Sequence, residues 1–147
     1  MVNNAPCPFC SIVNQTDSAV REVYRNDHVI AFFPLNPATL GHTLVIPRQH
    51  VPHIWELSED SAGHLAISII RLSKAVKNAI HPDGLNIIQS NGEAATQSVP
   101  HIHVHLVPRW ESDAIGRIWP PKTSYSEAAK DDVWEKLLGE CSRIEKT

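Results

Sequence analysis

The sequence predicts an α+β fold in which an antiparallel sheet of five strands is combined with one long helix and a C-terminal helix. Five short runs are rich in β-branched and apolar residues and are bounded by turn residues. Only one long stretch places apolar residues three and four positions apart, as an amphipathic helix does. Most neighbouring strands are joined by short loops, which favours antiparallel pairing.

The first two strands are predicted to form a hairpin. Residues 20–24 alternate in polarity, and residues 28–33 (HVIAFF) follow after a short run of turn residues. Residues 34–41 contain two prolines and a glycine, which cannot continue a central strand, so they are predicted to form a loop. The run 43–46 (TLVI) predicts a third, buried strand that stops at Pro47.

Ser58 is predicted to cap the one long helix. Glu59 and Asp60 would lie in its first turn, where the helix dipole favours acids. The helix carries an apolar stripe at Leu65, Ile69, Leu72, Val76 and Ile80. Residues 81–84 (HPDG) end the helix, and residues 85–89 predict a fourth strand.

Histidine alternates with aliphatic residues in the segment 101–109 (HIHVHLVPR). This period of two predicts a fifth strand, with Ile102, Val104 and Leu106 in the core and three imidazole rings on the opposite face. Alternate residues on a strand lie about 6.5–7 Å apart, so a phosphate-sized ligand could contact two of these rings.

Beyond residue 109 the sequence predicts a C-terminal extension, residues 110–147, within a single domain that spans residues 1–147. A helix is predicted over residues 124–140, with a capping box formed by Ser124 and Glu127. Its apolar residues are Val133, Trp134, Leu137 and Leu138.

Charge and cysteine content limit the possible partners. The formal net charge of −3 gives no reason to expect binding to nucleic acid or to a membrane surface. The first six residues lack the basic and apolar segments of a secretory signal, so we expect a cytoplasmic protein. In that compartment Cys7 and Cys10, which form a C-x-x-C motif, indicate metal or redox chemistry rather than a disulfide framework.

Two chemistries are compatible with the three alternating histidines. Three imidazoles can bind a catalytic metal, or one neutral imidazole can attack phosphorus and form a covalent intermediate. The segments that could face the strand supply His42, Gln97 and Ser98, which are hydrogen-bond donors suited to phosphoryl oxygens. Glu93 is the one nearby acid that could act as a base beside a metal.

Four segments in order resemble the histidine-triad (HIT) family: residues 27–32 (DHVIAF), 41–50 (GHTLVIPRQH), 91–95 (NGEAA) and 97–109 (QSVPHIHVHLVPR). The resemblance covers about residues 7–109 and implies a HIT-like fold. It also implies a nucleotide hydrolase or nucleotidyl transferase that cleaves a P–N or P–O–P bond at an α-phosphate through a nucleotidyl-histidine, with no catalytic metal.

The resemblance implies that the substrate is a purine nucleotide that yields an AMP-type product, in the first instance a nucleoside phosphoramidate such as adenosine phosphoramidate. A dinucleoside polyphosphate hydrolase is the nearest alternative. A nucleotide-binding or interaction module with little catalysis is another, because Pro34, Ser90 and Thr96 depart from the family pattern.

By position in the family motifs, His103 resembles the nucleophile, His105 the residue that contacts the phosphate and leaving group, and His42 the histidine that orients the nucleophile. The remaining positions that the resemblance assigns to nucleotide and phosphate binding are Ser98, Gln97, Ser90, Phe9, Ile12, Phe32 and Leu35.

The C-x-x-C motif resembles that of the zinc-binding members, which implies a structural Zn²⁺ bound by Cys7, Cys10, His50 and His101. The alternatives are a reduced, metal-free pair and a redox couple. The family also implies a homodimer in which the long helix and a central strand pair across a two-fold axis to give a continuous sheet.

Overall fold

The computed structural model describes residues 6–15 and 19–144. Residues 1–5, on which the expectation about an export signal depends, lie outside the described part of the chain. The strands are β1 (Glu22–Arg25), β2 (Val29–Phe32), β3 (Thr43–Pro47), β4 (Gly84–Gln89) and β5 (Val104–Arg109). The helices are α1 (Pro8–Val13), α2 (Glu59–Ile80) and α3 (Glu127–Ile144), and short 3₁₀ turns occupy Ile54–Glu56 and Glu93–Ala95.

The five strands form one antiparallel sheet in the order β1-β2-β3-β5-β4, which confirms the predicted α+β class. The turn of the β1–β2 hairpin is fixed by Asn26, whose side-chain oxygen accepts hydrogen bonds from the main-chain N–H groups of His28 and Val29 at 2.9 and 2.7 Å. Helix α2 lies between β3 and β4 in the sequence.

Both faces of the sheet are covered. On one face Val29, Val45, Val104 and Leu106 pack with residues of α2 such as Leu65. The other face carries a second cluster, to which α1 contributes two residues; its members are Phe9, Ile12, Ile30, Phe32, Leu44 and Ile46. Because strands β2 and β3 are covered on both sides, their residues are apolar without alternation apart from Thr43, and all of them are buried.

Helix α2 has the predicted ends. The hydroxyl of Ser58 accepts a hydrogen bond from the N–H of Ser61 at 3.2 Å, which caps the first turn. His81 adopts the left-handed conformation (φ 46°, ψ 54°), and its N–H donates to the carbonyl of Lys77. This is the arrangement that commonly ends a helix, although glycine is its usual occupant.

The prediction that the histidine strand begins at His101 is wrong, since β5 begins at Val104. The N–H of His101 donates to the carbonyl of Val99 and the N–H of Ile102 to that of Val51, so the chain here is held by loops and not by the sheet ladder. Ile102 is fully buried as predicted. The rings of His101 and His103 are buried as well, instead of lining an open face.

The chain divides into two compact units, residues 1–114 and 115–147, close to the predicted start of the C-terminal extension. The second unit contains α3, none of whose described residues is buried. Ser126 caps this helix by accepting a hydrogen bond from the N–H of Ala129 at 3.2 Å, so the predicted capping box at Ser124 is wrong. Among the described helices, none combines the length and apolar character needed to cross a membrane.

The strand order restricts how a second copy could extend the sheet. Strand β3 is central and has neighbours on both sides, β2 and β5. Its main-chain groups are therefore already paired within the chain. Among the described strands, β1 and β4 lie at the edges of the sheet, so a second copy that extends the sheet would pair with one of these and not with β3.

Candidate functional site

Two adjacent strands bring His42 and His105 together. His42 directly precedes β3, and in the β3–β5 register Leu44 lies opposite His105, on the sheet face covered by α1. Gly41, the residue before His42, has φ +86°, and a Cβ atom there would lie 2.5 Å from Cδ1 of Ile80. Glycine thus allows the sharp entry into β3 that turns the His42 ring towards β5.

A main-chain N–H fixes the tautomers of His42 and His105. The N–H of Ala38 donates to Nδ1 of His42 at 3.0 Å, so this nitrogen carries no proton. Neutral His42 is then protonated at Nε2, which lies 2.9 Å from Nδ1 of His105 and donates to it. The remaining proton of His105 must be on Nε2, which makes this nitrogen a hydrogen-bond donor.

His103 has the opposite tautomer. Its Nδ1 lies 2.8 Å from the carbonyl oxygen of His101, and a carbonyl can only accept, so Nδ1 carries the proton. The Nε2 atom of the neutral ring therefore bears a free lone pair, which is what a nucleophilic imidazole requires. The expectation that His42 orients His103 is wrong, because His42 bonds to His105 and His101 holds His103.

The rings of His103 and His105 lie next to each other, with centroids 4.9 Å apart and planes at 67°. Phe9 of α1 packs edge-on against His103, with centroids 5.2 Å apart. The site thus places a lone pair and an N–H donor beside each other, and an apolar ring closes one side.

Burial lowers the pKa of two histidines in the site, His105 and His42. The pKa of His105 is lowered to about 4. Burial is the largest cause, and electrostatic repulsion from the nearby His103 and His42 adds to it. Burial also lowers the pKa of His42. At neutral pH both rings are uncharged, in agreement with the tautomers that their hydrogen bonds require.

Phe9, Ile12 and Phe32, which were predicted to line the nucleotide pocket, do lie together. They belong to one buried cluster, in which the rings of Phe9 and Phe32 meet edge to face with centroids 5.5 Å apart. Leu35 was predicted to join them, but it is 94% exposed and lies outside this cluster.

The side chain of Gln97 forms hydrogen bonds with main-chain groups of the surrounding loops. Its Oε1 accepts from the N–H of Gly92 at 2.7 Å, and its Nε2 donates to the carbonyls of Pro52 and Val99 at 2.8 and 3.0 Å. The side-chain amide is thus committed to the main chain, which argues against the predicted side-chain contact with phosphate.

The other predicted polar residues differ in exposure. Ser98, which follows Gln97, is exposed, whereas Ser90, at the end of β4, is half-buried. Glu93 is exposed on a 3₁₀ turn.

A second group of side chains could hold a metal ion. One ligand atom from each of Cys7, Cys10, His50 and His101 lies within 4.8 Å of all the others. Nδ1 of His101 is 3.6 and 3.8 Å from the sulfurs of Cys7 and Cys10, and Nδ1 of His50 is 3.3 Å from that of Cys10. A tetrahedral zinc with two sulfur and two nitrogen ligands separates its ligand atoms by about 3.3–3.8 Å, so this group fits one.

The surroundings of His101 also suit a metal ligand. Its Nε2 donates to the carbonyl of Pro47 at 2.9 Å, which leaves the lone pair of Nδ1 directed at the sulfurs. Burial, the hydrogen bond to Cys7 and the charge of Cys7 all raise the pKa of the Cys10 thiol. A cation between the sulfurs would reverse that preference and stabilise both thiolates.

Sequence reasoning missed Arg25, which was placed in a turn. Its guanidinium donates to the carbonyls of Ile12 and Val13 at 3.0 Å each, and it pairs with Glu22 at 2.9 and 2.7 Å. The last carbonyls of α1 are thereby satisfied, which anchors the helix that carries Phe9. No sequence signal identifies such a contact, because its acceptors are main-chain groups.

Comparison with known proteins shows the same architecture. The HIT domain family matches residues 15–112. The adenosine 5′-monophosphoramidase hnt1 of Schizosaccharomyces pombe is 36% identical over 115 residues, which are 78% of this chain and 83% of that protein. The structure of a HIT family member from Bacillus subtilis superposes with a TM-score of 0.83 at 32% identity, covering 92% of this chain and 96% of the other.

A zinc-bound histidine triad family protein from Mycobacterium smegmatis has a similar fold as well. It superposes with a TM-score of 0.71 at 32% identity and covers 80% of this chain and 84% of its own. The motifs, the antiparallel sheet and these matches agree with one another. The chain therefore belongs to the HIT domain family of nucleotide-processing proteins.

Proposed function

We propose that the protein hydrolyses a purine nucleoside phosphoramidate, such as adenosine phosphoramidate, through a covalent nucleotidyl-histidine on His103. The observation that carries this proposal is the pair of opposite tautomers, a lone pair on Nε2 of His103 beside an N–H on Nε2 of His105. The S. pombe relative named as an adenosine 5′-monophosphoramidase supports the choice of substrate.

In the first step Nε2 of His103 attacks the α-phosphorus. The bond from phosphorus to the leaving nitrogen breaks as the bond from phosphorus to Nε2 of His103 forms. The Nε2–H group of His105 donates a hydrogen bond to the leaving nitrogen, which takes a proton from solvent and departs as the amine. In the second step water attacks the same phosphorus, gives a proton to solvent and frees His103, so that the products are a nucleoside monophosphate and an amine. Positioning of the two rings before the substrate binds supplies much of the catalysis.

The nucleotide base would lie against the apolar cluster that contains Phe9, Ile12 and Phe32. Phe9 contacts both this cluster and His103, so it would set the distance between base and phosphorus. Stacking on an aromatic ring is compatible with a purine, which offers the larger surface.

His103→Ala should remove the covalent step, so we expect turnover of adenosine phosphoramidate to fall about 1,000-fold or more. A rapid-quench experiment followed by mass spectrometry should find a nucleotidyl group on the peptide of the wild type that contains His103. His64→Ala, which changes a half-buried histidine on α2 outside the candidate site, is the matched control and should keep full activity.

Undiminished turnover by a folded His103→Ala protein would overturn the mechanism. Faster cleavage of a diadenosine polyphosphate than of the phosphoramidate would assign the enzyme to the alternative substrate class. AMP binding without any trapped intermediate would favour a binding module.

We also propose that Cys7, Cys10, His50 and His101 bind a structural zinc ion. The ligand separations and the hydrogen bond from His101 to Pro47 support this, as does the zinc-bound relative from M. smegmatis. Metal analysis of the purified protein should find about one zinc per chain, and its removal should lower the melting temperature.

A Cys7→Ser/Cys10→Ser double variant should lose the zinc, whereas Cys141→Ser, at an exposed cysteine far along the sequence, should retain it. Zinc retained by the double variant would rule out this ligand set.

A further inference from the structure

His101 belongs to both sites at once. Its ring nitrogen Nδ1 lies 3.6 Å from the sulfur of Cys7, within the Cys/His cluster (Cys7, Cys10, His50 and His101). Its main-chain carbonyl, in the same residue, accepts the Nδ1–H of His103 at 2.8 Å. The group that selects the tautomer of His103 is therefore carried by a residue whose side chain is a candidate metal ligand.

Loop contacts hold the main chain around His101. Residues 101–103 precede β5 and do not take part in the sheet ladder. Among the described residues, two main-chain hydrogen bonds hold them, from His101 to Val99 at 2.9 Å and from Ile102 to Val51 at 2.7 Å. The side chain of Ile102 is fully buried, and so is the ring of His101, which contacts Pro47 through one nitrogen and the cluster through the other. The His101 ring is therefore one of the anchors of this segment.

We infer that the Cys/His cluster positions the nucleophile: the ligands around the His101 ring fix its carbonyl, and that carbonyl fixes the tautomer and direction of His103. His101 is thus a positioning residue, and the occupancy of the cluster controls the reactive form of a ring that takes no part in metal binding. The kinetic consequence rests on the proposed function, but the tautomer of His103 can be observed without any substrate.

His50 offers the cleanest test, because it is exposed and its removal leaves no buried cavity. Its Nδ1 contacts Cys10, and its ring meets that of His101 edge-on with centroids 5.1 Å apart. We would compare wild type, His50→Ala and His50→Cys, which restores a ligand, with His64→Ala as the control. Metal content, circular dichroism and ¹⁵N NMR of the histidine rings would be measured for each protein, with kcat on adenosine phosphoramidate.

In the metal-loaded wild type we expect His103 to be protonated only at Nδ1. His50→Ala should lose metal, show a mixture of both His103 tautomers while remaining folded, and lose about 10- to 100-fold in kcat, the range typical when a group supporting a metal ligand is removed. His50→Cys should recover the single tautomer and most of kcat. Wild type stripped with a chelator should behave like His50→Ala.

A folded, metal-free protein in which His103 is still protonated only at Nδ1 would overturn the inference, and so would a wild type that binds no metal. Global unfolding on metal removal would also count against it, because the metal would then act on the whole fold. If no substrate is turned over, the proposed function fails, yet the NMR comparison still decides whether the cluster positions His103.

Discussion

His42 uses both ring nitrogens in its neutral form. Nδ1 accepts from the N–H of Ala38, and Nε2 donates to His105. A second proton on His42 would place two N–H groups face to face and break the bond to Ala38. The hydrogen bonds and the burial therefore act in the same direction, and both disfavour the charged ring.

Stability should consequently fall as the pH drops below neutrality. An unfolded histidine binds a proton near pH 6.5, whereas burial and its neighbours lower the pKa of His105 to about 4 in the folded protein. Between these values the unfolded chain binds more protons, so the free energy of unfolding decreases with falling pH. Urea unfolding measured from pH 7 to pH 4 should show this slope.

The slope should be shallower in a His42→Gln/His105→Gln double variant, since neither position then titrates. His64→Gln changes a half-buried histidine on α2, away from the His42–His105 pair, and should leave the slope as in the wild type. An identical slope in the double variant would mean that other groups cause the loss of stability.

The family resemblance named His42, His103 and His105 as the candidate catalytic histidines, but it did not give the hydrogen bond between His42 and His105. That bond depends on side-chain directions and on the N–H of Ala38, a group present in every non-proline residue. Gln97 shows the same difficulty, because an amide beside a motif looks available in sequence although its hydrogen bonds are already made.

At the level of elements, α1 is too short to be stable by itself and depends on what holds it. Its apolar residues Phe9 and Ile12 enter the sheet cluster, and Arg25 binds the carbonyls at its C-terminal end. Because Phe9 contacts His103, a movement of α1 would shift the position of the reacting ring.

Arg25→Ala should therefore raise KM for the nucleotide and lower the free energy of unfolding by about 1.5–3 kcal/mol, the range for hydrogen bonds from a charged donor. Steady-state kinetics and urea unfolding would measure the two effects. Arg21→Ala, an exposed arginine in the preceding segment, is the control and should change little. Unchanged KM in Arg25→Ala would show that α1 keeps its place without this anchor.

The approximate positions of the strands along the chain were predictable, because the apolar runs and turn residues are local signals, whereas the order of the strands in the sheet was not predicted. The start of β5 was not, since alternation continues through His101 while the main chain there bonds to Val51 and Val99. Thr96 similarly adopts a left-handed conformation, φ +65°, although threonine is poorly suited to it. Tertiary contacts outweigh local preference at both places.

Over the whole molecule, α2 carries apolar side chains that face outwards. Ile67 and Ile70 are 50% and 57% exposed. Edge strand β4 exposes Ile87 to 54%. These surfaces agree with the homodimer that the family resemblance implies, with β4 rather than a central strand available to extend the sheet.

We expect light scattering to give twice the chain mass of 16.4 kDa, because a second copy would bury this surface. Ile70→Asp would place a charge in the interface and should give the mass of a single chain. Ile54→Asp, at a comparably exposed isoleucine outside α2, should leave the dimer intact. A monomeric wild type would contradict the homodimer.

The Cys/His cluster also joins distant parts of the chain, since Cys7 and His101 are 94 positions apart and Cys10 and His50 are 40 apart. A metal bound there closes two large loops, as a cross-link does, and loop closure removes conformations from the denatured chain. Unlike a disulfide, this closure opens when the ion leaves. The concentration of available metal ion would therefore determine the lifetime of the native state. The rate of unfolding would increase as that concentration falls.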